Sequence, residues 1–142
     1  MNQFTEFVGN HLFLSLSFFG LLAYWIIGEI KNRTSGIGSL SPLDATQMIN
    51  HSNATIIDVR ESKEITDGLI INSIHIPLGD FKNQLKKLEK YKEKPVIISC
   101  RSGSRSNHAC SILRKNGFEK VHNLRGGISA WLKEGLPLVK KS

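Results

Sequence analysis

From Leu12 to Gly28 the chain reads LFLSLSFFGLLAYWIIG, without a single charge. Extended back to Phe7, the run is 22 residues long and His11 is its one ionisable member. A helix needs about 20 largely apolar residues to cross the hydrocarbon core of a bilayer, so this stretch is expected to be a transmembrane helix. Tyr24 and Trp25, near its end, carry amphipathic rings that suit a membrane interface. A cleaved signal peptide would need a positively charged start and a small-residue cleavage site, and the segment has neither. No Lys or Arg precedes the run, whereas Lys31 and Arg33 follow it closely. That bias places the residues after the span in the cytoplasm and the short N-terminus outside. The sequence therefore divides into an anchor at 1–30, a polar Gly/Ser-containing tether at 31–39 (KNRTSGIGS), and one domain of ordinary size at 40–142.

The part after the anchor is strongly basic. It holds all 19 Lys and Arg against ten acidic residues (every one except Glu6 and Glu29), a formal +9. Such a domain favours anionic partners, but charge alone does not choose among small anions, lipid headgroups and nucleic acid. No basic-and-aromatic interleaving is present, so nucleic acid is not an expected partner. The two cysteines make no disulfide framework and suit a reducing compartment. The five histidines (His11, His51, His75, His108, His122) form no metal-binding cluster, and no dinucleotide or Walker fingerprint occurs. Neither a metal nor a cofactor is expected.

Strand-like and helix-like segments alternate through the domain. Ser41-Pro42 opens a helix with Asp44 at a capping-box position, and Leu43, Met48 and Ile49 are its expected buried face up to about Ser52. Ala54–Val59 reads as a buried strand that delivers Asp58 and Arg60 at its carboxyl end. A helical turn over Glu61–Asp67 stops at Gly68, and Ser73–Leu78 reads as a short strand. Asp80–Lys92 is expected to be a helix with Phe81, Leu85, Leu88 and Tyr91 inward. Its lysines make a solvated face or a contact with anionic lipid. Pro95–Ser99 is a second buried strand, Ser106–Asn116 a helix closed by Gly117, Glu119–Leu124 a last strand, and Ile128–Glu134 a closing helix with Trp131 inward. The alternation predicts an α/β fold, an open parallel sheet flanked by helices.

The chemistry is concentrated in Cys100-Arg101-Ser102-Gly103-Ser104-Arg105, a tight loop between a strand and a helix. That edge of an open α/β sheet is where ligands bind. Gly103 and the small serines let successive N–H groups turn inward as an anion nest. A helix N-terminus beside arginines lowers a thiol from its usual ~8.5. Cys100 is thus placed as a nucleophile, and Arg101 and Arg105 as attractors of an anionic substrate. Cys110, further along the helix, is expected to be a small core residue.

Three stretches together resemble the rhodanese (sulfurtransferase) family. They are Asp58-Val59-Arg60 with Glu64-Ile65 and Gly68-Leu69-Ile70; the loop Cys100–Arg105; and Gly126-Gly127-Ile128-Ser129-Ala130-Trp131 through Gly135-Leu136-Pro137. Leu69 stands where the family usually has His, and Ile65 where it usually has an aromatic residue. The apolar N-terminal segment is similar to the anchor of bacterial single-domain rhodaneses of the inner membrane. The resemblance implies a rhodanese-like sheet and a Cys100 persulfide, formed from a small anionic donor such as thiosulfate and passed to a thiol or protein-thiol acceptor. It also implies that Asp58 and Arg60 brace the loop or the following turn, with Arg60 and Glu64 a candidate ion pair. Two competing readings stand beside it. One is a membrane-tethered interaction module with little turnover. The other is a phosphatase or arsenate reductase, whose loop has five residues between Cys and Arg where this one has four.

Overall fold

The computed structural model describes residues 1–34 and 37–140, with the side chains of 31–34 left out, and it forms two compact units, residues 1–35 and 36–142. In the first unit, helix α1 (Asn2–Asn10) gives way at His11 to helix α2 (Leu12–Thr34). Within α2, Leu12–Ile30 is the one helical stretch among the described residues long and apolar enough to cross a membrane, and none of it is buried in protein. A long, largely apolar helix left unburied is a candidate membrane span. The hydroxyl of Ser17 donates to the Phe13 carbonyl at 2.8 Å, so this polar group is satisfied within the helix itself.

The second unit is a five-stranded, wholly parallel sheet in the order β1-β5-β4-β2-β3, formed by β1 (Ile37–Leu40), β2 (Thr55–Asp58), β3 (Ile74–His75), β4 (Val96–Ser99) and β5 (Val121–Leu124). Successive side chains of a strand face opposite ways, and both faces here are apolar, as a parallel sheet covered by helices requires. Ile57, Val96, Ile98 and Val121 pack on one side with Phe81, Leu88, Ala109 and Leu113. Ile56, Ile97 and Leu124 pack on the other with Ala45, Ile128 and Trp131. Phe81 comes from the irregular segment before α4, and the helices supplying the others are α3 (Pro42–Ser52), α4 (Leu85–Leu88), α5 (Ser104–Lys115) and α6 (Gly127–Lys133).

Four expectations are corrected. The tether does not reach Ser39: helix α2 continues to Thr34, and Ile37–Leu40 pairs with Val121–Leu124 as the edge strand. The remaining two tether positions, Ser35 and Gly36, lie outside the described residues. Gly38 and Ser39 carry no strand signal of their own; the pairing with β5 decides their conformation. Leu43 is 54% exposed, because the inward positions of α3 fall at Pro42 and Ala45, with Met48 and Ile49 half-buried behind them. Residues 80–92 are not one helix. Short 3-10 turns at Leu78–Asp80, Lys82–Gln84 and Glu89–Tyr91 flank the single α turn of α4. Phe81, Leu85, Leu88 and Tyr91 still point inward, since spacings of three and four serve both kinds of turn. The strand expected at Ser73–Leu78 pairs only through Ile74 and His75.

Candidate active site

Strand β4 is central, with β2 on one side and β5 on the other, and Cys100 follows it directly. The next residues turn sharply: Gly103 has φ +105°, a conformation open to glycine, and becomes the N-cap of α5. The turn brings the Gly103 N–H to 3.0 Å from the Cys100 sulfur. The hydroxyl of Ser106, in the first turn of α5, lies 3.3 Å from the same sulfur. Burial alone pushes the Cys100 thiol up. The Ser106 hydroxyl and the backbone N–H groups of Ser106, Gly103 and Ser102 outweigh it and hold the thiol below its ordinary value.

The loop is gripped from behind. The Ile128 N–H donates to the Cys100 carbonyl at 2.8 Å and the Ser129 N–H to the Arg101 carbonyl at 3.1 Å. The backbone approaches so closely there that a Cβ on Gly127 would meet the Cys100 carbonyl oxygen and stand 2.7 Å from the Arg101 carbonyl. The glycine pair of the third sequence stretch is thus a buttress of the cysteine loop. Asn123, on β5, closes the other side: its Nδ2 donates to the Gly103 carbonyl at 3.1 Å, and its Oδ1 accepts from Ser106 Oγ at 2.5 Å.

Of the residues singled out by sequence, Cys100 to Arg105 and Glu64 meet at one place. Arg105 donates through Nη1 and Nη2 to the two Glu64 carboxylate oxygens at 2.6 and 2.8 Å, and Arg101 Nε lies 3.5 Å from Glu64 Oε1. Hydrogen bonds from Arg105 and from the Glu61 N–H, helped by the charges of both arginines, hold the Glu64 carboxyl down at about 2. The expected Arg60–Glu64 ion pair is therefore corrected. Arg60 pairs with Asp58 at 2.8 Å, both fully enclosed, and its guanidinium spans the carbonyls of Gly68 (2.7 Å) and Glu64 (3.3 Å). It touches Glu64 through the backbone only. Asp58 and Arg60 thus stand behind the site and fix the turn that presents Glu64, where every donor of a buried charge needs a partner.

Sequence reasoning missed Ser106 and Asn123. Ser106 could have been found as the first inward position of the helix that the loop opens. Asn123 carries no local signal, because only strand order brings it beside Gly103. Among the described residues no group of three or more His, Cys, Asp or Glu is placed to hold a metal.

The family model described as Rhodanese-like domain matches residues 41–134. The uncharacterised protein YibN of Escherichia coli (strain K12) is 34% identical over 141 residues, 99% of each chain. A sulfurtransferase of Allochromatium vinosum is 36% identical over 93 residues, 66% of this chain and 85% of its own. The crystal structure of a rhodanese-related protein from Thermoplasma volcanium superposes with a TM-score of 0.67 at 34% identity, over 73% of this chain and 99% of that one.

Proposed function

The chain belongs to the rhodanese-like domain family, and on that premise we propose that it is a sulfurtransferase carrying sulfane sulfur on Cys100. The Cys100 thiolate attacks the outer sulfur of a donor such as thiosulfate. A new S–S bond forms at Cys100 while the donor's S–S bond breaks, and sulfite leaves with the bonding pair. An acceptor thiolate, or cyanide in vitro, then attacks the outer persulfide sulfur and returns Cys100 as thiolate. The Gly103 and Ser102 N–H groups and the Ser106 hydroxyl stabilise the anionic sulfur before and after transfer, as preorganised dipoles do. Arg101 and Arg105 draw the anionic donor, and Asp58, Arg60 and Glu64 support the loop. Ser104, at the first position of α5, completes the turn.

One observation carries the reading: a thiol held below its ordinary value by donors converging on its sulfur at the end of a central strand. The anchor at Leu12–Ile30 supports a single-pass membrane protein with its sulfurtransferase domain in the cytoplasm. The test is intact-mass measurement of the full chain in uncharged detergent after incubation with thiosulfate. A species one sulfur heavier is expected, discharged by cyanide or a thiol, absent in Cys100→Ser and retained in Cys110→Ala. A folded chain with a free Cys100 that takes sulfur from no sulfane donor would refute the assignment.

A further inference from the structure

Two arginines flank the nucleophile, but their charge is not wholly available. Glu64 engages the Nη1–Nη2 fork of Arg105 at 2.6 and 2.8 Å, which is the edge best shaped to grip a planar or tetrahedral oxyanion in two places. The same carboxylate lies 3.5 Å from Arg101 Nε. With Glu64 ionised, the three side chains together carry one positive charge, where the arginines alone would carry two. The carboxylate is also not free to swing aside. The Glu61 N–H donates to its Oε2 at 2.8 Å, and its own carbonyl is held by Arg60. Glu64 is thus fixed by its own turn, independently of the loop it faces.

We propose that Glu64 sets the charge of the reagent that reaches Cys100, tuning the site to a singly charged sulfane-sulfur donor, such as an organic thiosulfonate or a hydropersulfide anion, over a doubly charged one. The inference rests on the sulfurtransferase reading for the word donor and on geometry for the rest. A fixed negative charge opposes a dianion twice as strongly as a monoanion. For a charge separation on the order of 7 Å and an effective dielectric of about 40–80, each unit of charge is worth roughly three- to sevenfold in rate or affinity.

Glu64→Gln keeps the shape of the side chain and removes its charge. The readout is a ratio, so a general loosening of the loop cancels. In the full chain in uncharged detergent, Cys100 is alkylated with iodoacetate, a monoanion, and with neutral iodoacetamide. Sulfur loading is measured in parallel with thiosulfate, a dianion, and benzenethiosulfonate, a monoanion that leaves as sulfinate. Glu64→Gln is expected to raise the iodoacetate-to-iodoacetamide rate ratio by about three- to sevenfold, and the thiosulfate-to-benzenethiosulfonate ratio of kcat/KM by a similar factor, through KM. Both gains should shrink at high salt. Glu64→Asp, which retains the charge, should leave both ratios near the wild-type values. Glu64→Ser gives the same readout should the glutamine variant not fold. Unchanged ratios, even with lower absolute rates, overturn the proposal and leave Glu64 as a shaping residue. Sulfur transfer from neither donor refutes the sulfurtransferase reading instead, and the alkylation ratio still decides the role of Glu64.

Discussion

Cys100 and Cys110 are both fully buried, both free, and both packed into the same apolar cluster, yet their thiols move in opposite directions. Burial pushes Cys110 up to about 12, and the nearby charge of Cys100 adds to the rise. The group Cys110 faces is an acceptor, the His122 carbonyl oxygen 3.6 Å from its sulfur, which favours the protonated thiol. Cys100 is desolvated too, but donors face it: the Ser106 hydroxyl and the N–H groups at the start of α5. Surface exposure does not separate the two cysteines. The polarity of the groups aimed at sulfur does, and that polarity follows from position, one thiol at a helix N-terminus and the other in mid-helix against a strand.

The contrast breaks if the two thiols react alike. Only the thiolate is a nucleophile, and at neutral pH the thiolate fraction of Cys110 should lie about a thousandfold or more below that of Cys100. Site-resolved alkylation of the native chain by iodoacetamide is therefore expected to label Cys100 and leave Cys110 untouched until the domain unfolds. Comparable labelling of both in the folded state would end the comparison.

A second test reads the same contrast as stability. Cys110 keeps its proton in the folded chain to about pH 12, while an unfolded thiol releases its proton near ~8.5. Between those values the folded state binds more protons, so stability falls as pH rises, by about 1.4 kcal/mol per unit for this one group. Cys100 has the opposite sign. Its folded value is lowered, so its contribution is complete above the unfolded value and is lost as pH falls through the folded one. Urea unfolding from pH 7 to 10.5 should show the alkaline loss flattened in Cys110→Ala. An identical slope in variant and parent would mean that Cys110 is not held protonated.

How much of this was legible without coordinates depends on distance along the chain. The cysteine loop is six consecutive residues, and its strand-before, helix-after setting is written in the neighbouring pattern. Hence the fold class, and a cysteine loop with its flanking arginines at the end of a strand, could both be read. The Ser41-Pro42 helix start is equally local: Ser41 Oγ accepts from the Asp44 N–H and donates to its carboxylate. Partners that meet through sheet order could not be read. The expected partner of Glu64 is Arg60, four residues away in the same motif. Its actual partner, Arg105, is 41 residues distant. Strand β1 failed for the same reason, since Gly38 and Ser39 take their conformation from β5. Leu43 shows a local limit: periodicity gives the faces of a helix but not which face meets the sheet.

A smaller effect sharpens the contrast by removing one donor. Ser106→Ala deletes the hydroxyl 3.3 Å from Cys100 and leaves burial in place. A hydrogen bond to a charged group is worth about 1.5–3 kcal/mol, or roughly one to two pKa units. The alkylation midpoint of Cys100 should move up by about one unit, with the rate falling below the new midpoint and changing little at high pH. A uniform loss across the pH range would instead point to a displaced loop.

The smallest effect should have the opposite sign. Ser106 has one hydroxyl proton and three claimants for it: the Cys100 sulfur, the Gly103 carbonyl at 3.0 Å and the Asn123 Oδ1 at 2.5 Å. With Cys100 protonated, the S–H donates to Ser106 and the hydroxyl is free to serve Asn123. Once Cys100 ionises, the proton must swing to the sulfur and Asn123 loses it. Asn123 is therefore a competitor of the thiolate as well as a prop for the Gly103 carbonyl. Asn123→Ala removes the competitor, and the Cys100 midpoint should fall by about half a unit, since one neutral hydrogen bond is worth about 1 kcal/mol net and part of it is lost again in the loosened prop. In Ser106→Ala the same Asn123 change should no longer lower the midpoint, because no shared proton remains and only the loosened prop is felt. An upward shift in Asn123→Ala alone, or a downward shift that survives without the serine hydroxyl, would mean that Asn123 acts on the loop alone and that the donors around Cys100 do not compete for one proton.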